Sequence, residues 1–301
     1  MTPNEWPSLA PQSALSNHLF GTHGSKMLGT WFELQVDRLT DPAFARLFSD
    51  HIDLPDIEVS DYNHRLIRSA KGQLIGGIRF YGGDVSRPFV EIIAHDFQYL
   101  EALQDCVAAE WAGFSPLHLR IVLACGTKLP PFAHVDMTIY AGRIRDMPPP
   151  DNRVSLVPFD EVDCALSIAT TRYAEVAKAD LGLGRNISAA DEADLKAWHE
   201  NNQLCAIRAG LNEAETTVGL FAAAPGKVEW IEGEEVNEEV VLSAYSGHGY
   251  ATSAQLAWVK RSGLDPSSLL IGTIDRLNLA SRRSAEKAGR AALLDYVFVS
   301  L

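Results

Sequence analysis

The chain has 301 residues, of which 47% are hydrophobic and 22% charged. That is a globular composition long enough for two domains with cores of their own, and it excludes a small scaffold stapled by disulfides. Its 26 Lys+Arg stand against 39 Asp+Glu, a formal net charge of -13 with no Lys/Arg run, so the basic footprint that a phosphate backbone requires is missing; no nucleic-acid partner is expected, and a cationic substrate is the more natural one.

The first thirty residues hold neither a basic start followed by an apolar run nor a small-residue cleavage site. No later stretch stays apolar for the roughly 20 residues of a membrane span. The expectation is a cytoplasmic protein with no membrane partner. The segment up to about Gly29, rich in Pro, Ser, Gly and Asn, reads as a flexible tail or a strap. Tyr62 to Ser69 and Gln73 to Tyr81 flank a Lys71-Gly72 turn as a hairpin, Pro88 to Ala94 is a strand and Phe97 to Ala112 a helix. Leu117 to Ala124 and His134 to Gly142 close the first half as strands. Three consecutive prolines, Pro148 to Pro150, then forbid helix and ladder pairing, and the domain boundary is placed there, giving domains 1–150 and 151–301. Lys+Arg against Asp+Glu is 12 to 17 before the boundary and 14 to 22 after it, so the halves carry -5 and -8 and neither is a basic arm.

In the second half Arg153 to Pro158 alternates like a strand, and Asp160 to Asp180 has helical apolar spacing up to a glycine stop at Leu181-Gly182-Leu183-Gly184. Ser188 with Asp191 three residues later resembles a capping box for a helix ending near Asn201-Asn202. Leu204 to Ala209 and Thr216 to Ala224 form a hairpin around a turn with Gly210 and Asn212. Val236 to Leu242 is a longer strand, Tyr250 to Lys260 a helix and Leu269 to Ile274 a buried strand. Ala280 to Ala288 is a helix stopped by Gly289, and Asp295 to Leu301 a terminal strand. The chain therefore reads as α/β, an α+β mixed sheet with flanking helices, and the shared element order of its halves suggests an internal duplication. Cys106, Cys125, Cys164 and Cys205 lie far apart without a CxxC spacing or clustered histidines, which predicts buried reduced thiols and neither a disulfide framework nor a zinc site.

Ser246-Gly247-His248-Gly249-Tyr250-Ala251 joins a strand directly to a helix. Such a turn aims a row of backbone N–H groups from the positive end of the helix dipole, and glycines let a pyrophosphate reach the backbone. It is neither a Walker motif nor the three-glycine dinucleotide fingerprint. Followed by Asn278-Leu279-Ala280-Ser281 and Glu286-Lys287-Ala288-Gly289, it resembles the Gcn5-related N-acetyltransferase superfamily. That family's acyl-CoA signature is Gln/Arg-x-x-Gly-x-Gly/Ala; here Gly249 and Ala251 match it and Ser246 replaces the leading residue. The later motifs are similar to those of the subfamily that acetylates ribosomal-protein amino termini and small amines, with Arg290 in place of its usual aromatic. The resemblance covers Arg153 to Leu301 in element order. In the first half Ala94-His95-Asp96-Phe97 stands where the glycine loop belongs, so that half reads as a degenerate copy and the chain as two such domains in tandem.

The resemblance implies direct acyl transfer from acetyl-CoA to a primary amine. It assigns the pyrophosphate to Gly247, His248, Gly249, Tyr250, Ala251 and the Thr252 hydroxyl, the thioester and pantetheine to backbone groups of Val240, Val241 and Leu242, and the pantetheine arm also to Asn278 and Ser281, which otherwise serve as a helix N-cap region. A base must take the ammonium proton. Glu235 falls on the position that carries it in the histone-acetylating branch, and Glu239 shares its strand face by period-two alternation; Glu229 and Glu232 read as a solvated acidic turn. The position of the family's tyrosine acid is Ala285, leaving Tyr245, Ser281 and Ser284 nearby. His248 is given no catalytic role. The expected function is an N-acetyltransferase acting on a small or peptidyl amine. The alternatives are a non-catalytic CoA-binding or partner-binding module and transfer of a longer acyl group. The acceptor and the oligomeric state stay open.

Overall fold

Pro, Ser, Gly and Asn suggest a tail at the amino terminus, but the segment is helical: α1 (Ala10–Phe20), α2 (Thr22–Asp37) and α3 (Pro42–Ser49), the last started by Pro42 and by the Asp41 carboxylate accepting from Ala43 N. The computed structural model describes every residue except 53, 212 and 213. The expected turn at Asn212 thus lies outside the described residues. After α3 come β1 (Arg65–Ser69), β2 (Gly72–Phe80), β3 (Pro88–His95), α4 (Leu100–Glu110), β4 (His118–Ala124) and β5 (Ala133–Arg143). The second half follows as β6 (Val154–Pro158), α5 (Val162–Ala179), α6 (Leu181–Gly184), α7 (Glu192–Glu200), β7 (Leu204–Leu211), β8 (Ala214–Val228), β9 (Ile231–Val241), α8 (Tyr250–Trp258), β10 (Leu269–Asp275), α9 (Leu279–Lys287) and β11 (Ala291–Ser300). The chain is α/β, with mixed sheet and flanking helices. Among its described residues no helix is long and apolar enough to cross a membrane.

The chain forms two compact units, Met1–Met137 with Leu294–Leu301, and Thr138–Leu293. They do not divide at the prolines. Prolines prevent pairing but not packing, and Met147 beside them is buried in the second unit's core with Ile144 and Leu270. The exchange points fall instead inside β5 and β11.

In the first unit β1, β2 and β3 are antiparallel, β3 pairs parallel with β4 at Phe89↔His118, Val90↔Leu119 and Glu91↔Arg120, and β11 closes antiparallel on β4. One face packs Leu103 and Val107 of α4 and Trp111 against Ile78, Val90 and Leu119. Beyond Glu91 the parallel strands have no further register. There the amino-terminal strap closes in: Trp6 and Leu9 pack with Ile75 and Ala94, and His95 N donates to Ser8 Oγ at 2.7 Å.

The second unit repeats the plan. β6, β7, β8 and β9 are antiparallel neighbours, and β10 returns parallel to β9 after α8. α5 and α7 cover one face through Ala165, Ala169 and Leu195 against Leu220, Ala222 and Val240; α8 covers the other through Ala254, Leu256 and Trp258 against Phe221, Ala223 and Val236. Two local expectations change. Leu181–Gly184 is a short helical turn capped by Asp180, not a stop. The N-cap of α7 is Asp191, whose carboxylate accepts from Asp194 N; Ser188 lies outside the helix. β9 also begins at Ile231, earlier than the alternation from Val236 predicts, because Glu232 and Glu234 are ladder partners of Lys227 and Pro225. Of the four cysteines expected to be buried only Cys205 is, and Cys125 and Cys164 are exposed.

Candidate active site

β10 pairs with β9 only at Leu270↔Glu234 and Ile271↔Glu235. From there the strands diverge, and a cavity of about 500 Å³ occupies the divergence. Its volume is in the range of small-molecule sites. Val240 and Val241 form its floor, Gly247 and Gly249 to Thr252 one wall, and Asn278 and Ser281 a third side. Most of the residues assigned to cofactor binding are therefore gathered in one place by the fold.

The glycine loop is built as its sequence implies. Gly247 and Gly249 have φ of 83° and 78°, left-handed values that favour glycine. Gly249 is the N-cap of α8 and offers no side-chain cap, so the first N–H groups of this helix open into the cavity unpartnered by a side chain. A Cβ on Gly249 would stand 3.1 Å from Arg153 Nη2, whereas one on Gly247 would meet nothing within 4 Å. The loop is fixed from outside. Arg153 donates to His248 O at 2.7 Å and to Ser253 Oγ at 3.0 Å, and Asp151 accepts from both Arg153 and Ser253. Sequence reasoning missed this brace; its signal is the Asp151 and Arg153 that follow the prolines.

Four assigned residues play different parts. His248 does not line the cavity; its ring lies 5.8 Å from that of Tyr250 and its carbonyl serves Arg153. Leu242 is also outside, its N–H donating to Val218 O on β8. The Thr252 hydroxyl donates to Ser284 O at 3.3 Å, a link between α8 and α9, while the residue still borders the cavity. Asn278 caps α9, accepting from Ser281 N at 3.1 Å, so its oxygen performs the structural role while the residue still borders the cavity.

Glu235 and Glu239 do not share a face. The β8–β9 register shifts between Ala222 and Ala223, leaving one extra residue in β9 opposite them. Val236 and Val241 consequently both pack towards α8 although five residues apart, and Val240 faces α5 and α7. The bulge inverts the alternation. Glu235, next to Val236 on the opposite face, takes a hydrogen bond from the Lys227 backbone and is not brought to the cavity. Glu239 lines it. Gln255 of α8 donates to both Glu239 oxygens, at 3.1 and 2.9 Å, and Arg290 donates to the Gln255 oxygen at 3.4 Å and to Tyr140 O at 3.3 Å. Burial pushes the Glu239 carboxyl above the ordinary glutamate range, opposed by the Gln255 hydrogen bonds and the Arg290 charge. The Arg290 guanidinium is itself drawn down to about 10 by burial. Arg290, in place of an aromatic, is thus the buried cation behind Glu239.

On the other face Glu238 accepts from the Tyr173 hydroxyl at 2.8 Å and from Ala190 N at 3.0 Å. Ala285 is fully buried in a small core with Tyr140 and Ile274, so nothing at that position can deliver a proton. Tyr245, Ser281 and Ser284 line the cavity and keep hydroxyls there. Among the described residues no group of three or more His, Cys, Asp or Glu is placed to hold a metal ion.

No family model matches the chain, and no curated protein matches it. Among solved structures it is similar to an acetyltransferase of the GNAT family from Colwellia psychrerythraea, at 12% identity and a TM-score of 0.45 over 88% of this chain and 97% of that one. It is similar also to a GCN5-related N-acetyltransferase from Sphaerobacter thermophilus, at 13% identity and a TM-score of 0.48 over 87% of this chain and 93% of that one. A tandem GNAT protein from the clavulanic acid biosynthesis pathway matches at 14% identity and a TM-score of 0.41 over 92% and 94%. Their names fall on the family that the two motifs resemble, but likenesses this loose carry no argument about residues or chemistry.

Proposed function

We propose that the second unit is an N-acyltransferase that binds acetyl-CoA in the cavity between β9 and β10 and passes the acyl group to a primary amine. One observation carries the reading. An uncapped helix N-terminus, preceded by two left-handed glycines, opens into the same cavity as a half-buried carboxylate whose two oxygens are held by one amide.

The residues fit such a cofactor. Backbone N–H groups of Gly247, Gly249, Tyr250 and Ala251 suit a pyrophosphate, with Arg283 and Lys287 of α9 beside them as cations. The side of Val240 and Val241 that β10 leaves unregistered provides backbone groups for the pantetheine and the thioester carbonyl. Bound acetyl-CoA supplies the acyl group as a thioester, with CoA leaving as the thiol when the nitrogen–carbon bond forms and the carbon–sulfur bond breaks. Glu239 takes the proton of the incoming ammonium, directly or through water; its raised pKa brings it closer to that task at neutral pH, and Gln255 orients it. Glu235 has no part in this. Tyr245, which lines the cavity, would return a proton to the sulfur.

Incubation with acetyl-CoA and primary amines, followed by free thiol, tests the reading. Glu239→Gln should lower the rate by about 100-fold or more and leave acetyl-CoA affinity unchanged, while Glu235→Gln should change neither. The buried Ala285 at the acid position favours a second reading, a CoA-binding module without turnover; acetyl-CoA binding with no thiol release from any amine would establish it.

A further inference from the structure

The cavity has two unlike ends. On the α8 and α9 face the charged residues at its wall are Glu239, Arg283 and Lys287. On the α5 face the wall consists of Val176, Leu183, Ile187 and Leu277, with Arg172 and Tyr173 above them. Glu239 is the one carboxylate among the described lining residues, against three cations. The chain's overall charge of -13 is therefore not reproduced where the substrate must sit.

The apolar end is a built structure and not a loose loop. The connection from α5 to α7 crosses the gap between the diverging strands and is tied to both: Asn186 Nδ2 donates to Asp275 Oδ2 at the end of β10, at 2.9 Å, and Ala190 N donates to Glu238 on β9. α6 rests on Leu277, whose Cδ1 would lie 3.2 Å from a Cβ on Gly182. Leu183 and Ile187 are thereby fixed over the gap through which an amine approaches Glu239 from the side opposite the glycine loop. Leu279, at the start of α9, also lines the cavity and is 56% exposed, and Leu181 at the start of α6 is 72% exposed. Exposed leucines so close to a cavity mouth extend the surface a ligand can cover.

We infer that the acceptor is a primary amine on an apolar body, with no second positive charge, whose aliphatic or aromatic part lies on Val176, Leu183, Ile187 and Leu277. A polyamine or aminoglycoside would leave further ammonium groups against this apolar wall, where the carboxylate beside Arg172, that of Glu175, is already paired with Arg172 and takes a hydrogen bond from Ser243. The inference rests on the acyltransferase reading, and the two fail differently.

The test is a comparison of hexylamine and phenethylamine with spermidine and an aminoglycoside at fixed acetyl-CoA, by thiol release, with acetyl-CoA binding measured separately by calorimetry. The apolar amines should have kcat/KM at least about tenfold above the polycations, a discrimination that a few buried methylenes supply. Ile187→Glu should erase it without loss of acetyl-CoA binding. Preference for spermidine or the aminoglycoside, or equal rates for all four amines, would overturn the inference, whereas acetyl-CoA binding without transfer to any of the four would overturn the acyltransferase reading. Absence of acetyl-CoA binding would remove the reading beneath it. Should Ile187→Glu fail to fold, the ranking of the four amines on the parent protein still decides.

Discussion

Glu239 sits between opposing influences. Burial favours its protonated form, and the Gln255 amide with the Arg290 charge behind it favours the anion. A group whose folded pKa lies above its unfolded value contributes stability below the unfolded pKa, and that contribution is lost as pH rises through the folded one. Glu239→Gln should therefore gain stability relative to the parent as pH increases, while the parent's acyl transfer rises across the same interval as the base is uncovered. Chemical denaturation and rate profiles over pH measure the two limbs; a rate with no acid limb near the raised Glu239 pKa would contradict its role as base. His64 shows the reverse sign. It is buried, its Nδ1 meets Gln35 O at 3.0 Å and its Nε2 meets Arg79, and burial with the Arg79 charge lowers its pKa to about 3. Stability is present above the unfolded value near 6.5 and declines as pH falls towards 3. At pH 5 the loss amounts to about 2 kcal/mol. Between pH 7 and 5 the parent should lose about 2 kcal/mol more stability than His64→Gln, a difference that denaturation at the two pH values measures.

At the scale of elements, β9 is where sequence and structure part. Alternation puts Glu235 and Glu239 on one face, and a strand without interruption would have done so. The bulge opposite Ala222 and Ala223 adds one residue and moves Glu239 to the α8 face. Bulges bend the strand that carries them, and this one lies just past Glu235, where β9 leaves β10. No signal in the local sequence announces it, because Asn237 is an unremarkable exposed strand residue whose Nδ2 donates to Glu235 O at 3.2 Å. Deletion of Asn237 preserves the faces of Glu238 to Val241 but removes the extra residue. The deleted protein should fold, continue the β9–β10 ladder beyond Ile271 and bind acetyl-CoA at least about tenfold more weakly. Unchanged affinity would show that the divergence does not depend on the bulge. By contrast the glycine loop, α8 and the Asn278 cap were legible, because left-handed glycines and N-cap residues act within a few residues of chain. Ser188 was misleading for the same reason: Asp191 caps more effectively from the position next to the helix.

At the scale of the molecule, both units place a parallel strand pair that separates after two or three registered positions. Each has antiparallel strands followed by a helix and a returning parallel strand, the shared order from which the sequence suggests a duplication. What was not legible is how each divergence is filled, since that depends on contacts between residues far apart in sequence. In the second unit it is the cavity. In the first, Ala94 to Phe97 stands at the end of β3, and the amino-terminal helical segment closes on it around a smaller cavity of about 290 Å³ lined by Ser8, Ile92, His95 and Leu123. The division at Met137 and Leu293 was equally hidden, because strand exchange leaves no compositional mark. The account thus requires one acyl-CoA per chain, held by the second unit. Calorimetric titration of acetyl-CoA into the parent, Gly247→Asp and Gly247→Asn tests this most directly. Gly247 has open space and a left-handed φ that Asp and Asn both tolerate, so the pair differs chiefly in charge at the pyrophosphate position. The predicted result is a stoichiometry of one, retained with Asn and abolished with Asp; no binding to the parent, or binding that Asp leaves intact, would contradict the account.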